Sequence, residues 1–472
     1  MPEAEYKDHL CTLHIGLDDF DLHRYGCTTH TATFLIHKLI SYIAPIFIDY
    51  PNLVRLNPSI PWKTRGNGAV ALHIKIPCSY VDKVSDVIDN ILLEYYKKLG
   101  EALDIDMYLY YEEPGAIIVL GSIPPIFSRI YLNSLTDVVL PSMVLEKLLK
   151  FSEEEKVYVS NVFRGRGIVG AVAAIGWLAT DSDYTYELIV YRSKQFYNMD
   201  RCIDTDSVRL FDNTTNTTTF NNIDYETNRV LITSHGYDPV LYGVRGDDVY
   251  DIKKALDIIK PCEPVAAWTI FRTNQATDAH AVSRRISDLR IYRTAKIKLR
   301  ISGFPKIIQG GHVIVKGIDD SGSIDIVFFK PSGLVSVARR LIPGDTVVVQ
   351  GHVKSWYNIP YLHVEKIFVE KLAPLYVCKA PRCPICRKRM TKKGFGKGYS
   401  CKKCRYIAHN VSLECTIITR DIVEGLYIPP PSELKHLVKP LKRYGRERST
   451  HPPQISLSVA TVSTLTEPLY FL

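Results

Sequence analysis

The chain has 472 residues, more than a single hydrophobic core serves, so three or four domains are expected. Its 46% hydrophobic and 23% charged content is that of a soluble globular protein, and no run of eighteen apolar residues offers a membrane span. The net charge of +9 is local: residues 379–405 hold eleven Lys and Arg and no acid, leaving 48 basic against 50 acidic residues elsewhere. That pattern excludes a uniformly basic surface and implies a polyanion meeting one module.

The first ten residues carry Glu3, Glu5 and Asp8 ahead of any apolar run, the wrong order for a secretory leader, so the expected compartment is the cytoplasm. Leu13 to Leu17 reads as a short buried strand. It runs into Asp18, Asp19 and Asp21, with the hydroxyl pair Thr28-Thr29 further on. Like charges so close repel one another, and a fold that gathers them usually supplies a cation. Mg²⁺ accompanied by a nucleotide fits, because it binds through one or two carboxylates plus phosphate oxygens. A solvated acidic turn is the alternative.

Helical spacing of apolar residues follows over Thr29 to Ile43 and again over Val81 to Lys98. Between them, Lys63 and Arg65 lead into Gly66-Asn67-Gly68, a turn whose backbone N–H groups can approach an anion closely. No Gly-Lys-Ser/Thr signature accompanies it, so a P-loop is excluded. The strand Ala69 to Ile76 completes the pattern of an α/β unit over residues 8–160.

A second unit spans 161–251, with the small apolar run Ile168 to Leu178, a strand at Tyr186 to Tyr191 and a polar loop at Asn213 to Thr219. Residues 252–291 hold a helix and a polar segment. There Arg272, Asn274 and Asp278 are costly to bury unless they bind a ligand or one another, so a site and an inter-domain seam are both open. Residues 292–372 change to five short alternating strands, with a helical stretch at Gly333 to Leu341 before the fourth. This is the pattern of an OB-fold β-barrel, used either to bind single-stranded nucleic acid or only as a spacer.

Residues 373–412 contain Cys383-Pro-Ile-Cys386 and Cys401-Lys-Lys-Cys404, fourteen residues apart, the spacing of a closed tetrahedral Zn²⁺ site. Between and beside the knuckles stand Arg387, Lys388, Arg389, Lys392, Lys393, Phe395, Lys397 and Tyr399, cations for phosphates and rings for unpaired bases. A solvated basic hairpin is the alternative. Cys378 lies outside the doublets, and Cys11, Cys27, Cys78, Cys202 and Cys262 are scattered singly, as reduced core or site cysteines would be. Residues 413–472, broken by Pro429-Pro430-Pro431 and Pro452-Pro453, are expected to form an extended, partly docked tail.

Taken together, Gly16-Leu-Asp-Asp-Phe-Asp, Cys27-Thr-Thr and Val54 through Val70 resemble the archaeal TiaS family, tRNA(Ile) 2-agmatinylcytidine synthetases. So do Gly165-Arg-Gly, Tyr186-Glu-Leu, Asp238 through Gly246 and Arg272-Thr-Asn-Gln. The resemblance implies a multidomain α+β protein: a kinase-like α/β domain, a ferredoxin-like domain, an OB-fold and a zinc ribbon. It implies an ATP-dependent ligase that phosphorylates C2 of the wobble cytidine in the CAU anticodon of an isoleucine tRNA and attaches agmatine, enabling AUA decoding. Asp18, Asp19 and Asp21 would then hold Mg²⁺ and ATP, and Thr28 would match an autophosphorylated threonine. Lys63, Arg65 and Asn67 would lie on the phosphates with Gly66 and Gly68, and Arg272, Asn274 and Asp278 would return to the same cleft. Agmatine's guanidinium requires a facing carboxylate, for which Asp204 and Asp206 are the candidates. Two departures stand out: Phe20 replaces a threonine, and Ala276 a glycine. The rival reading is a non-catalytic single-stranded nucleic-acid-binding protein that works through its OB-fold and zinc ribbon.

Overall fold

The computed structural model describes residues 9–21, 26–103, 113–152, 156–197, 199–234, 236, 238–394, 396–409, 411–448 and 457–465. Eight strands build the main sheet: β1 (Leu10–Asp18), β2 (Asn52–Arg55), β3 (Gly68–Pro77), β4 (Gly115–Leu120), β5 (Val157–Arg164), β6 (Thr185–Arg192), β7 (Val240–Gly246) and β8 (Val265–Thr273). Their order is β5-β4-β1-β3-β2-β8-β6-β7, within an eleven-stranded sheet. The kinase-like and ferredoxin-like halves thus share one sheet, joined where β2 lies parallel to β8 with Asn52 opposite Arg272 and Leu53 opposite Thr273. Strand β8 falls inside the stretch 252–291 that reads from sequence as helical and polar; both of its neighbours come from distant segments.

Helices α1 (Thr28–Ile43), α2 (Val81–Leu103), α3 (Pro125–Thr136), α4 (Pro141–Ser152) and α5 (Ile168–Trp177) cover the N-terminal half. Leu13, Ile15 and Leu17 of β1 are buried on one face, and Gly16 and Asp18 occupy the other by strand alternation. Helix α5 is buried on nearly every side and lies close against that second face. A Cβ on Gly16 would stand 2.2 Å from the carbonyl oxygen of Ala171, so glycine is what admits the helix. Helix α6 (Thr205–Thr215) covers the ferredoxin-like half and takes up residues through Thr215 of the expected loop at 213–219.

The OB-fold has its own core and five principal strands, β9 (Thr294–Ile301), β10 (Val313–Ile318), β11 (Ser323–Phe328), β12 (Thr346–Trp356) and β13 (Ile359–Lys371). The barrel closes through pairing of β9 with β10, and a helical turn at Val335–Ala338 precedes β12. A two-stranded stem, Leu375–Lys379 with Glu414–Ile418, carries the zinc ribbon. The described part of the tail is well docked: Gly425–Tyr427 pairs with β13, and Ser463–Leu465 adds to β8. Among the described residues no helix is long and apolar enough to cross a membrane.

The expectation of singly placed reduced cysteines is corrected. Disulfides join Cys11 to Cys78, Cys202 to Cys262 and Cys378 to Cys415, partners 67, 60 and 37 residues apart. Separations this large leave no local spacing signature, and strand register makes the pairs. Cys378 stands directly opposite Cys415 in the stem, for example. Cys27 and the four cysteines of the two knuckles are free.

Candidate active site

Strand β1 delivers Asp18 at its end, and the chain turns sharply through Asp19 at φ +57°, a conformation that Asp tolerates better than most residues. Asp18, Asp19 and Asp21 are all buried. Arg166 donates to Asp19 Oδ2 from Nε at 3.1 Å and Nη2 at 2.9 Å, and Thr64 Oγ1 donates to Oδ1 at 3.1 Å. Asp21 Oδ1 lies 4.0 Å from Arg65 Nε. Asp18 packs on the first turn of α5, where a Cβ on Gly170 would come within 1.8 Å of its Oδ2. Burial raises all three carboxyl pKa values, and the neighbouring Asp19 charge adds to the rise at Asp18. A hard-oxygen donor set kept from water, with its charge only partly compensated, fits a divalent cation such as Mg²⁺.

Phe20 sits among these acids but points away from them. Its fully buried ring packs against Tyr96 at 5.7 Å and Phe163 at 5.2 Å. The position therefore faces the core, so the missing hydroxyl leaves the carboxylates as they are.

Thr28 opens α1, where its Oγ1 accepts from the Phe20 N–H at 3.2 Å and its own N–H donates to Asp21. It lines a cleft of about 490 Å³ between the two halves of the sheet, together with Asp21, Arg55, Arg65, Gly66, Gly68, Glu187, Asp238, Arg245 and His436. Lys63 and Asn67 line a smaller adjoining cavity with Asp18, Asp19 and Arg166. Left-handed backbone at Arg65 and Asn67 (φ +33° and +51°) gives the loop its tight path, and Asn67 Nδ2 donates back to the Asn57 carbonyl at 2.9 Å.

Two cleft carboxylates carried no assignment in the sequence reading. Glu187, on β6, is hydrogen-bonded by Gln275 and lies 3.3 Å from Arg245 Nε. Asp238 lies 3.1 Å from Arg65 Nη1 and 2.9 Å from Arg201 Nη2. A lone acid in the otherwise apolar strand Tyr186 to Tyr191 was the available signal, because such a group is buried only with partners.

Five expected site residues lie elsewhere. Arg272 is fully buried, donates from Nε to Asp49 Oδ2 at 2.8 Å and stacks 4.4 Å from the Trp177 ring. Asn274 clasps Arg55 of β2, accepting from its N–H at 2.7 Å and donating to its carbonyl at 2.9 Å. Asp278 accepts from Gln350 Nε2 at 3.1 Å, from the Lys439 N–H at 2.8 Å and from Lys366, tying the catalytic half to the OB-fold and tail. These three form inter-domain seams; none is a wall of the cleft. Asp204 caps α6, accepting the Asp206 N–H at 3.1 Å, and the Asp206 side chain is 94% exposed. Both belong to a surface helix start, the ordinary place for Asp, and not to the cleft.

In the ribbon, the four sulfurs of Cys383, Cys386, Cys401 and Cys404 lie within 4.8 Å of one another. The two knuckles repeat one geometry: the Arg387 N–H donates to Cys383 O and the Arg405 N–H to Cys401 O, with φ of +59° and +55° at the two arginines. The site fits a tetrahedral zinc ion. Arg387, Lys388, Arg389, Lys392, Lys393 and Lys397 surround it near or at the surface, and Tyr399 packs half-buried on the ribbon core. Phe395 lies outside the described residues.

Residues 14–105 match the family model of the TiaS TCKD domain, 165–280 the TiaS FLD domain, 296–370 the OB-fold nucleic acid binding domain, and 380–422 the TiaS C-terminal zinc ribbon domain. The chain is 55% identical over 461 residues to the tRNA(Ile) 2-agmatinylcytidine synthetase TiaS of Ignisphaera aggregans, covering 98% of this chain and 99% of that one. The enzyme of the same name from Staphylothermus marinus is 39% identical over 455 residues, covering 94% and 96%. The crystal structure of a TiaS complex with its isoleucine tRNA and ATP matches with a TM-score of 0.78 at 31% identity, covering 95% of this chain and 100% of that chain. A TiaS complex with the same tRNA, AMPCPP and agmatine matches with a TM-score of 0.75 at 27% identity, with the same coverage.

Proposed function

The chain belongs to the TiaS family of ATP-dependent ligases, which join agmatine to the wobble cytidine of an isoleucine tRNA, and on that premise we propose which of its residues carry the reaction. The C2 oxygen of cytosine is a poor leaving group. Transfer of a phosphoryl group from ATP turns it into phosphate, which the primary amine of agmatine displaces as the new C–N bond forms. Such a transfer depends on positioning and on neutralising the charge of the phosphates.

Asp18, Asp19 and Asp21 are the residues that would hold Mg²⁺, whose contribution when bound is to offset phosphate charge. Arg65, with Lys63, Asn67 and the backbone of Gly66 and Gly68, faces the phosphates. Thr28 presents its hydroxyl as the phosphoryl acceptor of the autophosphorylation that the family resemblance implies. Glu187 and Asp238 take the part first sought at Asp204 and Asp206: each is a buried carboxylate of the same cleft already serving a guanidinium, the group that agmatine brings. Zn²⁺ in the four-cysteine site would hold the ribbon's shape, and the lysines and arginines around it meet the tRNA backbone. The cytoplasm, where tRNA, ATP and agmatine meet, is the compartment that this reaction requires.

One observation carries the reading: Asp21, Thr28, Arg65, Glu187 and Asp238 share a single cleft of about 490 Å³. ATP consumption measured with and without the isoleucine tRNA and agmatine tests it. Turnover should require both, and Thr28→Ala should lose incorporation of labelled γ-phosphate into the protein. ATP consumption indifferent to tRNA and agmatine would overturn the assignment, and persistent labelling of Thr28→Ala would remove Thr28 from it.

A further inference from the structure

A strip of rings and lysines lies outside the cleft, along the seam between the catalytic half and the OB-fold. Trp62 is 46% exposed at the tip of the loop that carries Lys63, and its ring meets that of Tyr292 edge-on at 5.9 Å. Tyr292 is held at φ +71°, a conformation that bulky side chains rarely adopt. It is fixed on both sides: its N–H donates to the Val353 carbonyl at 2.8 Å, and its carbonyl accepts from Asn57 Nδ2 at 2.8 Å. The next residue on β12 is Lys354, and two further on Trp356 stacks on Tyr361 at 4.2 Å.

The charge of the strip is one-sided. Lys63 and Lys435 line a second cavity of about 380 Å³, which shares Arg55, Arg65, Gly66 and His436 with the main cleft. Among the described residues Lys63 and Lys354 have no ion-pair partner, and Lys435 has only the buried Glu365, at 3.5 Å. Burial comes first in lowering the pKa of both Lys63 and Lys354. Repulsion from Lys435 adds to it at each, which places the three ammonium groups in one field.

Exposed rings beside unneutralised lysines match unpaired nucleotides, whose bases stack while their phosphates are held. The chemistry also calls for such a surface. A cytidine can react at C2 only when turned out of the anticodon stack, and that leaves its neighbours without a stacking partner. We propose that Trp62, Tyr292 and Lys354, with Lys63 and Lys435, form a platform that stacks and clamps the unpaired nucleotides flanking the target cytidine. The proposal rests on the reading of an isoleucine tRNA as substrate and assigns its anticodon loop a path from the main cleft onto the OB-fold.

The test uses the full-length protein and the isoleucine tRNA with 2-aminopurine replacing the adenosine that follows the target cytidine in the CAU anticodon. Binding is read without ATP or agmatine, so failure of the catalytic assignment and failure of the platform are separate outcomes. Trp62→Ala should weaken binding roughly fivefold to hundredfold and change the 2-aminopurine emission of the complex, whereas Trp62→Phe should keep most of both. Trp62→Leu, which keeps apolar bulk without an aromatic face, should behave as Trp62→Ala and replaces it if that variant unfolds. Lys354→Gln should lower the slope of log affinity against log salt by about one. Wild-type affinity and emission in a folded Trp62→Ala or Trp62→Leu protein would overturn the platform, as would an unchanged salt slope in Lys354→Gln.

Discussion

Gly170→Ala isolates the acidic site from the stability of the fold. Gly170 lies in the first turn of α5, and an added Cβ would stand 1.8 Å from Asp18 Oδ2, where ordinary contact begins at 3.4 Å. The carboxylate must therefore retreat by about 1.6 Å, or the helix start must lift by as much. Neither movement is easy, because Gly167 behind it already lies against the Asp18 backbone. A misplacement of about 1 Å at a reacting centre costs on the order of a hundredfold in rate. Alanine meanwhile favours a helix over glycine by about 1 kcal/mol, which offsets much of the strain. The expected result is a fall of at least about a hundredfold in agmatine incorporation into the isoleucine tRNA, with a melting temperature within a few degrees of wild type. Measured side by side, activity within about threefold of wild type would refute the argument that Asp18 is held in place by the missing Cβ.

Three further outcomes follow from packing. Arg443, fully buried in the tail, donates from Nε to Asp247 at 2.8 Å and from Nη1 to Asp183 at 3.1 Å, so Arg443→Met should cost about 3–5 kcal/mol in guanidinium unfolding. Burial holds the Asp247 pKa above its unfolded value even with Arg443 beside it; the folded state therefore binds more protons, and the variant's deficit should shrink as pH falls from about 7 toward about 5. Ala276, at φ +58°, occupies a position where glycine is unstrained, and Ala276→Gly should raise stability by about 0.5–1 kcal/mol; a lowered melting temperature would contradict this. Cys383→Ser should release about one zinc per chain and weaken tRNA binding, because only Cys383, Met390, Cys401 and Ala408 form the ribbon's buried core and the metal must carry its folding. Unchanged tRNA affinity would assign the ribbon a purely structural role.

Where a signal is local in the chain, it was legible. The two Cys-x-x-Cys knuckles need only short turns to bring four sulfurs together, and they do so. The five barrel strands declare themselves by alternation and fall within about three residues of the expected positions. The acids at 18, 19 and 21 follow directly from the end of one strand. Where partners are distant, the signal was absent or misleading. Arg272, Asn274 and Asp278 looked like ligand-binding residues because burying such groups is costly, yet Asp49, Arg55, Gln350 and Lys439 satisfy them. The same cost is met by a ligand or by a seam, and composition does not distinguish the two.

The sequence by itself determined the domain order, the barrel, the zinc-binding spacing and the acidic run at the end of β1, since each rests on contacts a few residues apart. Only the tertiary structure decided that Phe20 points into the core and that Glu187 and Asp238 face Arg65 and Thr28 across one cleft. The same holds for the tail's buried Arg443 and for the cysteines that pair 37 to 67 residues apart. These are questions of register and of which face of a sheet a side chain takes. They are settled when β2 meets β8 and the two halves become one sheet.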